Sequence, residues 1–344
     1  MSLSIQHLAA VDLGSNSFRM LVGKAAEHPH GAQIYPLDSL REPVRLGAGL
    51  DANKNLTEES QQRALATLAR FGERLRQFQP ERVRAVATNA VRVAKNAHAF
   101  LERAQQALGF PIEVIAGREE ARLVYIGAAH SVAPAAGNRL VVDIGGGSTE
   151  FIIGQGHEPR MMESLYIGCV SMSRDFFPGG LVDEQRMKSA ELAARREVQI
   201  IAREFRKAGW TNAVGSSGTA RALADILTGN QLNPPGQSLG ITRIGLRELR
   251  KLYARAGDLG ALKLAGLKPD RVPVAAGGLA IMLAIFEELG IRRWKPPTPA
   301  CVWASFMTCS AASSNTTCAN SRCSNSCSAT AWTPGRRRAS NPWP

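Results

Sequence analysis

The sequence predicts an α/β fold built from two related domains. Strand-like and helix-like segments alternate through residue 294, and a short β-hairpin recurs 131 positions after its first appearance. Such alternation predicts helices packed on a sheet. A chain of 344 residues is also long enough for two domains of about 100 to 200 residues each.

The first predicted domain covers residues 1–130. Two β-rich runs on either side of a Gly-Ser-Asn-Ser turn predict a hairpin over residues 8–23. Thr57 is expected to begin a helix, because two glutamates follow it and the apolar residues are spaced for one buried face. The remaining expected elements are a strand at 83–87, a helix at 97–108, a strand at 112–115 and a helix at 118–130.

A second hairpin repeats the first. AVDLGSNSFRMLVG at residues 10–23 aligns without gaps on VVDIGGGSTEFIIG at residues 141–154. The informative matches are Asp12 with Asp143, Gly14 with Gly145, Ser17 with Ser148, and Gly23 with Gly154. The repeat predicts a related domain over residues 131–294, with a boundary where a helix gives way to Ala, Pro and Gly.

The elements expected in the second domain follow from the same patterns. A helix is expected over residues 183–208, a strand at 212–214, and a further helix after the GSSGT turn at 215–219. Gly277 and Gly278 are interpreted as a turn between a strand at 272–276 and a helix at 279–288. A last strand is expected at 291–293.

The composition changes abruptly after residue 294. Residues 295–344 contain no Asp, Glu, Leu or Ile, and they hold five of the six cysteines. No apolar periodicity surrounds those cysteines, which argues against a metal site there. We hypothesise that the chain from about Trp294 is translated in a shifted reading frame and does not fold natively, so residues 295–344 are expected to form a disordered, aberrant tail.

Charge and cysteine usage indicate the class of ligand and the cellular compartment that we expect. The chain carries 42 Lys and Arg against 29 Asp and Glu, a net charge of +13, which favours a polyanionic ligand; no motif indicates a specific nucleic acid. Residues 1–294 contain only Cys169, as expected in a reducing compartment. The amino terminus lacks the pattern of a signal peptide, and the longest apolar run, at 274–286, is too short to span a bilayer. A cytoplasmic protein without a membrane span is expected.

The second glycine turn is a candidate phosphate site. Glycines after a strand leave backbone N–H groups accessible to phosphate oxygens, although a tight hairpin also needs glycine for its backbone angles alone. Two matched turns facing each other across a cleft favour phosphate. Asp143 before the turn and Glu150 after it can reach one cation, and Mg²⁺ prefers such oxygen ligands. Asp12 is placed similarly in the first hairpin.

Acidic residues at the start of the helix at 118–130 have two interpretations. Glu119 and Glu120 suit the first turn of a helix for electrostatic reasons alone, or one of them activates a water molecule. Arg92 can clamp a terminal phosphate through two hydrogen bonds, but an arginine on a solvated helix face is commoner. Histidine spacings give no zinc site, and no nucleotide-binding loop motif is present.

Six motifs in order resemble one family. They are AVDLGSNSFRMLVG, ATNAVRVAKNA, GREEARLVYIGA, VVDIGGGSTEF, IGCVSMSRDFFPGG and GSSGT, and together they resemble the exopolyphosphatase and guanosine pentaphosphate phosphohydrolase family over residues 8–294. The resemblance implies two ribonuclease H-like domains of the actin and Hsp70 type flanking an interdomain cleft. It also implies Mg²⁺-dependent removal of the terminal phosphate of polyphosphate, or of the 5′ terminal phosphate of guanosine pentaphosphate.

The resemblance also assigns roles to residues. It implies that Glu120, rather than Glu119, activates water, and that Asp143 and Glu150 bind the metal. The residues that it places at the phosphates are Ser15, Asn16, Arg92, Gly145, Gly146, Gly147 and Ser148, with Ser217 and Gly218 at the rim. One departure is the segment WKPPTPACVWASF after residue 293, where the family usually continues with an Asp-Gly-Ala-Leu-Arg-Glu-Gly motif.

These observations favour a Mg²⁺-dependent exopolyphosphatase. Three alternatives stay open at this point: a guanosine pentaphosphate phosphohydrolase, a small-molecule kinase of the same fold, and a polyphosphate-binding module without turnover. The partner is accordingly expected to be inorganic polyphosphate or guanosine pentaphosphate, and a homodimer is possible.

Overall fold

A computed structural model of the protein describes residues 6–26, 33–131 and 136–295. The predictions for residues 296–344, including the disordered tail, lie outside the described residues. In the described ranges no helix is long and apolar enough to cross a membrane.

The first sheet has five strands in the order β3-β2-β1-β4-β5. The strands are β1 (Gln6–Leu13), β2 (Phe18–Ala26), β3 (Gln33–Glu42), β4 (Val83–Ala87) and β5 (Ile112–Val114). β1, β2 and β3 are antiparallel neighbours, whereas β4 and β5 run parallel to β1. The parallel pairing brings the carboxyl ends of β1 and β4 to the same edge of the sheet.

The second sheet repeats this arrangement with the strand order β8-β7-β6-β9. Its strands are β6 (Arg139–Ile144), β7 (Thr149–Gln155), β8 (Glu158–Leu165) and β9 (Asn212–Gly215). β6 to β8 are antiparallel and β9 is parallel to β6, as β4 is parallel to β1. The sequence repeat therefore extends to the topology of the first four strands of each sheet.

Helices connect the strands and cover the sheets. They are α1 (Glu58–Leu75), α2 (Asn89–Val93), α3 (Ala97–Leu108), α4 (Gly117–Ser131), α5 (Cys169–Phe176), α6 (Glu184–Ala208), α7 (Gly218–Gly229), α8 (Arg243–Ala256) and α9 (Val272–Glu288). Thr57 caps α1 as expected, since its side chain accepts a hydrogen bond from the Ser60 amide.

The two sheets have separate cores. Phe71 of α1 and Phe100 of α3 are fully buried against the first sheet, and Phe205 of α6 and Phe286 of α9 are fully buried in the core of the second. Burial of side chains of this size is the main favourable contribution to folding. We call the first sheet with α1 to α3 the first lobe, and the second sheet with α4 to α9 the second lobe.

Helix α4 packs on the second sheet. Its buried Tyr125 lies among Val141 of β6 and Ile152 of β7, and the Tyr125 hydroxyl donates to the Gly156 carbonyl. The sequence-based boundary at residue 130 placed this helix in the first domain. By packing, its body belongs to the second lobe, while its first turn follows directly from β5 of the first.

Helix α9 is one continuous helix, and the predicted strand and glycine turn at residues 272–278 are wrong. A methyl group on Gly277 would lie 2.6 Å from Ser173 Oγ, and one on Gly278 would lie 2.6 Å from Thr219 Cγ2. The glycines therefore allow α9 to approach α5 and α7 closely, and they do not mark a turn. All-round burial makes the helix apolar on every face, which hides its period from sequence analysis.

Trp294 is part of the folded body, in contrast to the hypothesis that native folding ends at about this residue. It lies in β11 (Arg293–Trp294), which pairs with β10 (Ile241–Thr242). The indole is fully buried and stacks on Phe286 at a centroid distance of 5.7 Å. Lys295 then forms a parallel bridge with Val214 of β9, at the position that β5 takes beside β4.

Candidate active site

A cleft between the lobes holds a cavity of about 160 Å³. The turn at Gly14–Ser17, called the first elbow, and the turn at Gly145–Ser148, called the second elbow, both contribute to its wall. The predicted site residues that line the cavity are Ser15, Asn16, Glu120, Asp143, Gly145, Gly146, Ser148, Ser217 and Gly218. The fold thus brings together two distant segments that the sequence repeat related.

The two elbows touch each other. A methyl group on Gly146 would lie 2.8 Å from Ser15 Cβ and 3.0 Å from the backbone nitrogen of Asn16. A methyl group on Gly147 would lie 2.3 Å from Asn89 Oδ1. Because real Cβ atoms do not come this close, both positions require glycine. Gly147 itself is packed against the first lobe and does not line the cavity.

Helix α5 fixes the orientation of the second elbow. The amide of Cys169 donates to the Gly145 carbonyl at 2.9 Å, and the amide of Val170 donates to the Gly146 carbonyl at 2.8 Å. The elbow carbonyls are therefore held by the amino-terminal end of α5, while Gly145, Gly146 and Ser148 line the cavity. Preorganised peptide groups of this kind form anion-binding concavities.

Two aspartates occupy corresponding places in the lobes and line the same cavity. Burial raises the pKa of Asp12 to about 7, partly offset by Arg19, and Asp143 raises it further. Burial also raises the pKa of Asp143, although the Ser216 hydroxyl, which donates to its Oδ2 at 2.5 Å, opposes the rise. Asp12 and Asp143 therefore lie near enough across the cleft to repel each other.

Glu150 lies beneath the floor of the cavity. Its side chain is buried, its Oε1 accepts from the Ser164 hydroxyl at 2.9 Å, and it also accepts from Ser148. Burial, together with the charges of Glu120 and Asp143, raises its pKa well above the usual range. Glu150 does not line the cavity, so its predicted role at a metal stays a prediction.

Glu120 lines the cavity and is held by Arg92. Arg92 Nη1 donates to Glu120 Oε2 at 3.3 Å and to the Ile115 carbonyl at 2.8 Å. Burial raises the pKa of Glu120 to about 7, with Arg92 lowering it and Asp12 and Asp143 raising it. Such a pKa suits a general base at neutral pH. Glu119 instead pairs with Arg122 and does not line the cavity.

Three predicted phosphate ligands already have structural partners. Arg92 contacts Glu120 and does not line the cavity, and its role at phosphate stays a prediction. Ser15 Oγ accepts from the Ala90 amide of α2, and Ser217 Oγ accepts from the Ala220 amide of α7. Gly218 packs against the guanidinium of Arg271, 2.2 Å from where a methyl group would stand.

A group of four arginines at and beside the cavity was missed by sequence analysis. Arg19 and Arg271 line the cavity, and Arg41 and Arg221 lie within electrostatic range of Arg19. Burial lowers the pKa of Arg19 and of Arg271, and neighbouring guanidinium groups lower both further. The repeat held one signal for Arg19, because it aligns with Glu150, a residue that was selected.

The donor atoms at the cavity fit a magnesium ion shared with a substrate. In the described ranges no group of three His, Cys, Asp or Glu side chains is arranged to hold a metal by itself. Mg²⁺ is commonly bound by one or two carboxylates, with water and phosphate oxygens completing the shell. Asp12 and Asp143 supply carboxylates of that kind beside the elbows, where phosphate oxygens can approach.

Comparison with known proteins assigns the chain to a family. The sequence model of the Ppx/GppA phosphatase family matches residues 23–295. The chain belongs to the Ppx/GppA phosphatase family. This Ppx/GppA phosphatase has the predicted α/β fold class, with two sheets of matching topology that flank a cleft.

Solved structures agree with this assignment. The crystal structure of the Aquifex aeolicus Ppx/GppA family member is 26% identical with a TM-score of 0.70, and the match covers 91% of this chain and all of that one. An exopolyphosphatase from Cytophaga hutchinsonii is 23% identical with a TM-score of 0.75, and the match covers 89% of this chain and 98% of that one. The second likeness shows the shared fold.

Proposed function

We propose that this Ppx/GppA phosphatase is an exopolyphosphatase, which hydrolyses the terminal phosphoanhydride bond of inorganic polyphosphate with Mg²⁺. The observation that carries the proposal is the set of groups that line one cavity. Glu120, the two elbows and the guanidinium groups of Arg19 and Arg271 all contribute to its wall. A polyphosphate bound there would have its terminal phosphate at Glu120 and the elbows, and its following phosphates at the arginines.

The proposed reaction uses Glu120 as general base. A water molecule between Glu120 and the terminal phosphorus loses a proton to the carboxylate as its oxygen forms the new P–O bond. The bond from that phosphorus to the bridging oxygen breaks in line, and the bridging oxygen stays on the shortened polyphosphate. Arg92 orients the carboxylate, because it anchors Glu120 to the Ile115 carbonyl.

The elbows stabilise the phosphoryl charge in this proposal. Gly145, Gly146 and Ser148 line the cavity, so their backbone N–H groups would bind the phosphoryl oxygens, and the α5 contacts hold the elbow in place before substrate arrives. Asp143, oriented by Ser216, and Asp12 would hold the magnesium. When bound, Mg²⁺ supplies neutralisation of the phosphate charges.

Phosphate release from long-chain polyphosphate, measured with and without Mg²⁺, tests the proposal. Glu120→Gln is expected to lower kcat by about 100- to 10,000-fold, the usual contribution of a general base. Glu119→Gln is the matched control, since it removes the neighbouring carboxylate, which pairs with Arg122 away from the cavity; its kcat should stay within about twofold.

Two results would contradict the proposal. Turnover of Glu120→Gln close to that of the wild type would remove Glu120 as the base. A clear preference for guanosine pentaphosphate over polyphosphate, when both compete for one preparation, would assign the same chemistry to the other substrate.

A further inference from the structure

Asp270 lies just before α9, beside Arg271, which lines the cavity. Its Oδ2 contacts Arg41 Nη1 at 3.1 Å and Arg271 Nε at 3.9 Å. Arg41 belongs to β3 of the first lobe and Arg271 to the second, so one carboxylate oxygen bridges cations of both lobes. The side chain of Asp270 is 31% exposed and that of Arg41 is 34% exposed, so solvent reaches the contact.

The arginines around Asp270 lie close enough to repel one another. Arg19 and Arg41 are directly opposite each other on β2 and β3. Burial lowers the pKa of Arg19 and of Arg271, and neighbouring guanidinium groups lower both further, although Asp12 opposes the fall at Arg19. Within the described ranges, Arg221 Nη2 is buried without a hydrogen-bond partner. Four guanidinium groups converge here, and Asp270 supplies a carboxylate at their outer side.

We infer that Asp270 is a specificity-determining residue, which occupies an anion position between Arg41 and Arg271 and must be displaced by the phosphates behind the terminal one. This inference rests on the proposed function. A long polyphosphate brings many charges to the arginines and displaces Asp270 readily. A short polyphosphate brings few, so Asp270 discriminates against it.

The expected change in KM is small because the contact between Asp270 and Arg41 is exposed to solvent. A unit charge removed at about 4 Å in a solvent-like dielectric changes binding by about 1 kcal/mol, or about fivefold. Asp270→Asn keeps the shape of the side chain and removes the charge. It should lower the KM for tripolyphosphate about fivefold, change the KM for long-chain polyphosphate less than twofold, and leave kcat unchanged.

Two further variants separate displacement from other effects. Arg41→Gln removes the opposite partner of the same ion pair, and it should raise the KM for tripolyphosphate. If the pair acted only as a clasp between the lobes, both variants would move KM in the same direction, which would overturn the inference. Asp225→Asn makes the same change in net charge on the exposed face of α7 and should leave KM unaltered.

Calorimetric binding of tripolyphosphate keeps the test independent of turnover. Tighter binding to Asp270→Asn than to the wild type, with Asp225→Asn equal to the wild type, supports the inference even if the wild type releases no phosphate from polyphosphate. Equal or weaker binding to Asp270→Asn overturns it. A failure of the proposed function would show in the absence of phosphate release alone.

Discussion

The two lobes contain the same hairpin but carry different charges at corresponding positions of it. In the first sheet, Asp12, Arg19 and Arg41 lie directly opposite one another on β1, β2 and β3. In the second sheet, the same three places hold Asp143, Glu150 and Ser164. The second residue after the elbow is thus a cation in one lobe and a carboxylate in the other, although the repeat aligns them.

The comparison shows that the duplicated hairpins set the geometry of the cavity, whereas the residue type at a single cross-strand position sets the local charge. Two equivalent hairpins bring two elbows and two aspartates to one cavity. Arg19 then lines the cavity as a cation, whereas Glu150 is buried, bonds Ser148 and Ser164, and does not line the cavity. The difference between the lobes can be tested one residue at a time.

The largest effect is expected from the two aspartates. Asp143→Asn should lower kcat/KM at millimolar Mg²⁺ by about 1,000-fold, the several kcal/mol that a metal contributes. Asp12→Asn should cost less, because Arg19 already stands opposite Asp12. Phosphate release across a Mg²⁺ titration measures both. Equal losses would show that the two lobes hold the metal alike, against the proposed division.

Separating the elbows should have the next largest effect. Gly146→Ala places a methyl group 2.8 Å from Ser15 Cβ, so the elbows must move apart. Misplacement by about 1 Å costs about 100-fold in rate, and kcat is expected to fall by that amount. Thermal melting serves as the control for folding. Unchanged kcat in a folded variant would show that contact between the elbows is dispensable.

Removing the positive charge of Arg19 in the first lobe should weaken substrate binding more than it slows turnover. Hydrogen bonds to charged groups contribute about 1.5 to 3 kcal/mol, so Arg19→Gln should raise the KM for polyphosphate about 10- to 100-fold. Arg19→Lys should recover part of the loss because it keeps the charge. Arg63→Gln, which removes an exposed arginine of α1 paired with Glu59, is the control. A fall in kcat with unaltered KM would contradict a binding role.

The smallest expected effect is a shift in the pH dependence of kcat/KM. Glu120 must be ionised to accept a proton, and its pKa of about 7 means that kcat/KM should rise as the pH increases through 7. Arg92 lowers that pKa, so Arg92→Gln should shift the rise to higher pH. The pH dependence of kcat/KM for both proteins measures the shift. A shift to lower pH would mean that Arg92 does not stabilise the ionised carboxylate.

Much of the site could be predicted from sequence because it lies where local patterns are strong. Short sequence patterns predict the strands and glycine turns of the hairpins, and the repetition of the hairpin indicates a shared cavity. The group of arginines could not be found in this way. Arg41 lies beside Arg19 through the pairing of β3 with β2, and Arg271 lines the cavity from a loop distant in the chain; neither position has a local signature.

The turn that was wrongly predicted at the glycines of α9 shows the same limit of prediction from local sequence. Gly277 and Gly278 read locally as a turn, because glycine favours turns in the absence of other information. Tertiary contact decides otherwise, since Ser173 and Thr219 occupy the space that side chains would take. Trp294 likewise lies directly before a composition break, where native folding was expected to end, yet its indole packs in the core beside Phe286.

Small residues link α9 to the second elbow in one series of contacts. Gly277 approaches Ser173 and the Cys169 carbonyl of α5, and the Cys169 amide in turn bonds the Gly145 carbonyl. A single added methyl group in the middle of α9 would therefore push on the peptide that faces the phosphate. Random mutagenesis screened for activity should find this buried helix nearly as intolerant of substitution as the catalytic residues, although it touches no substrate.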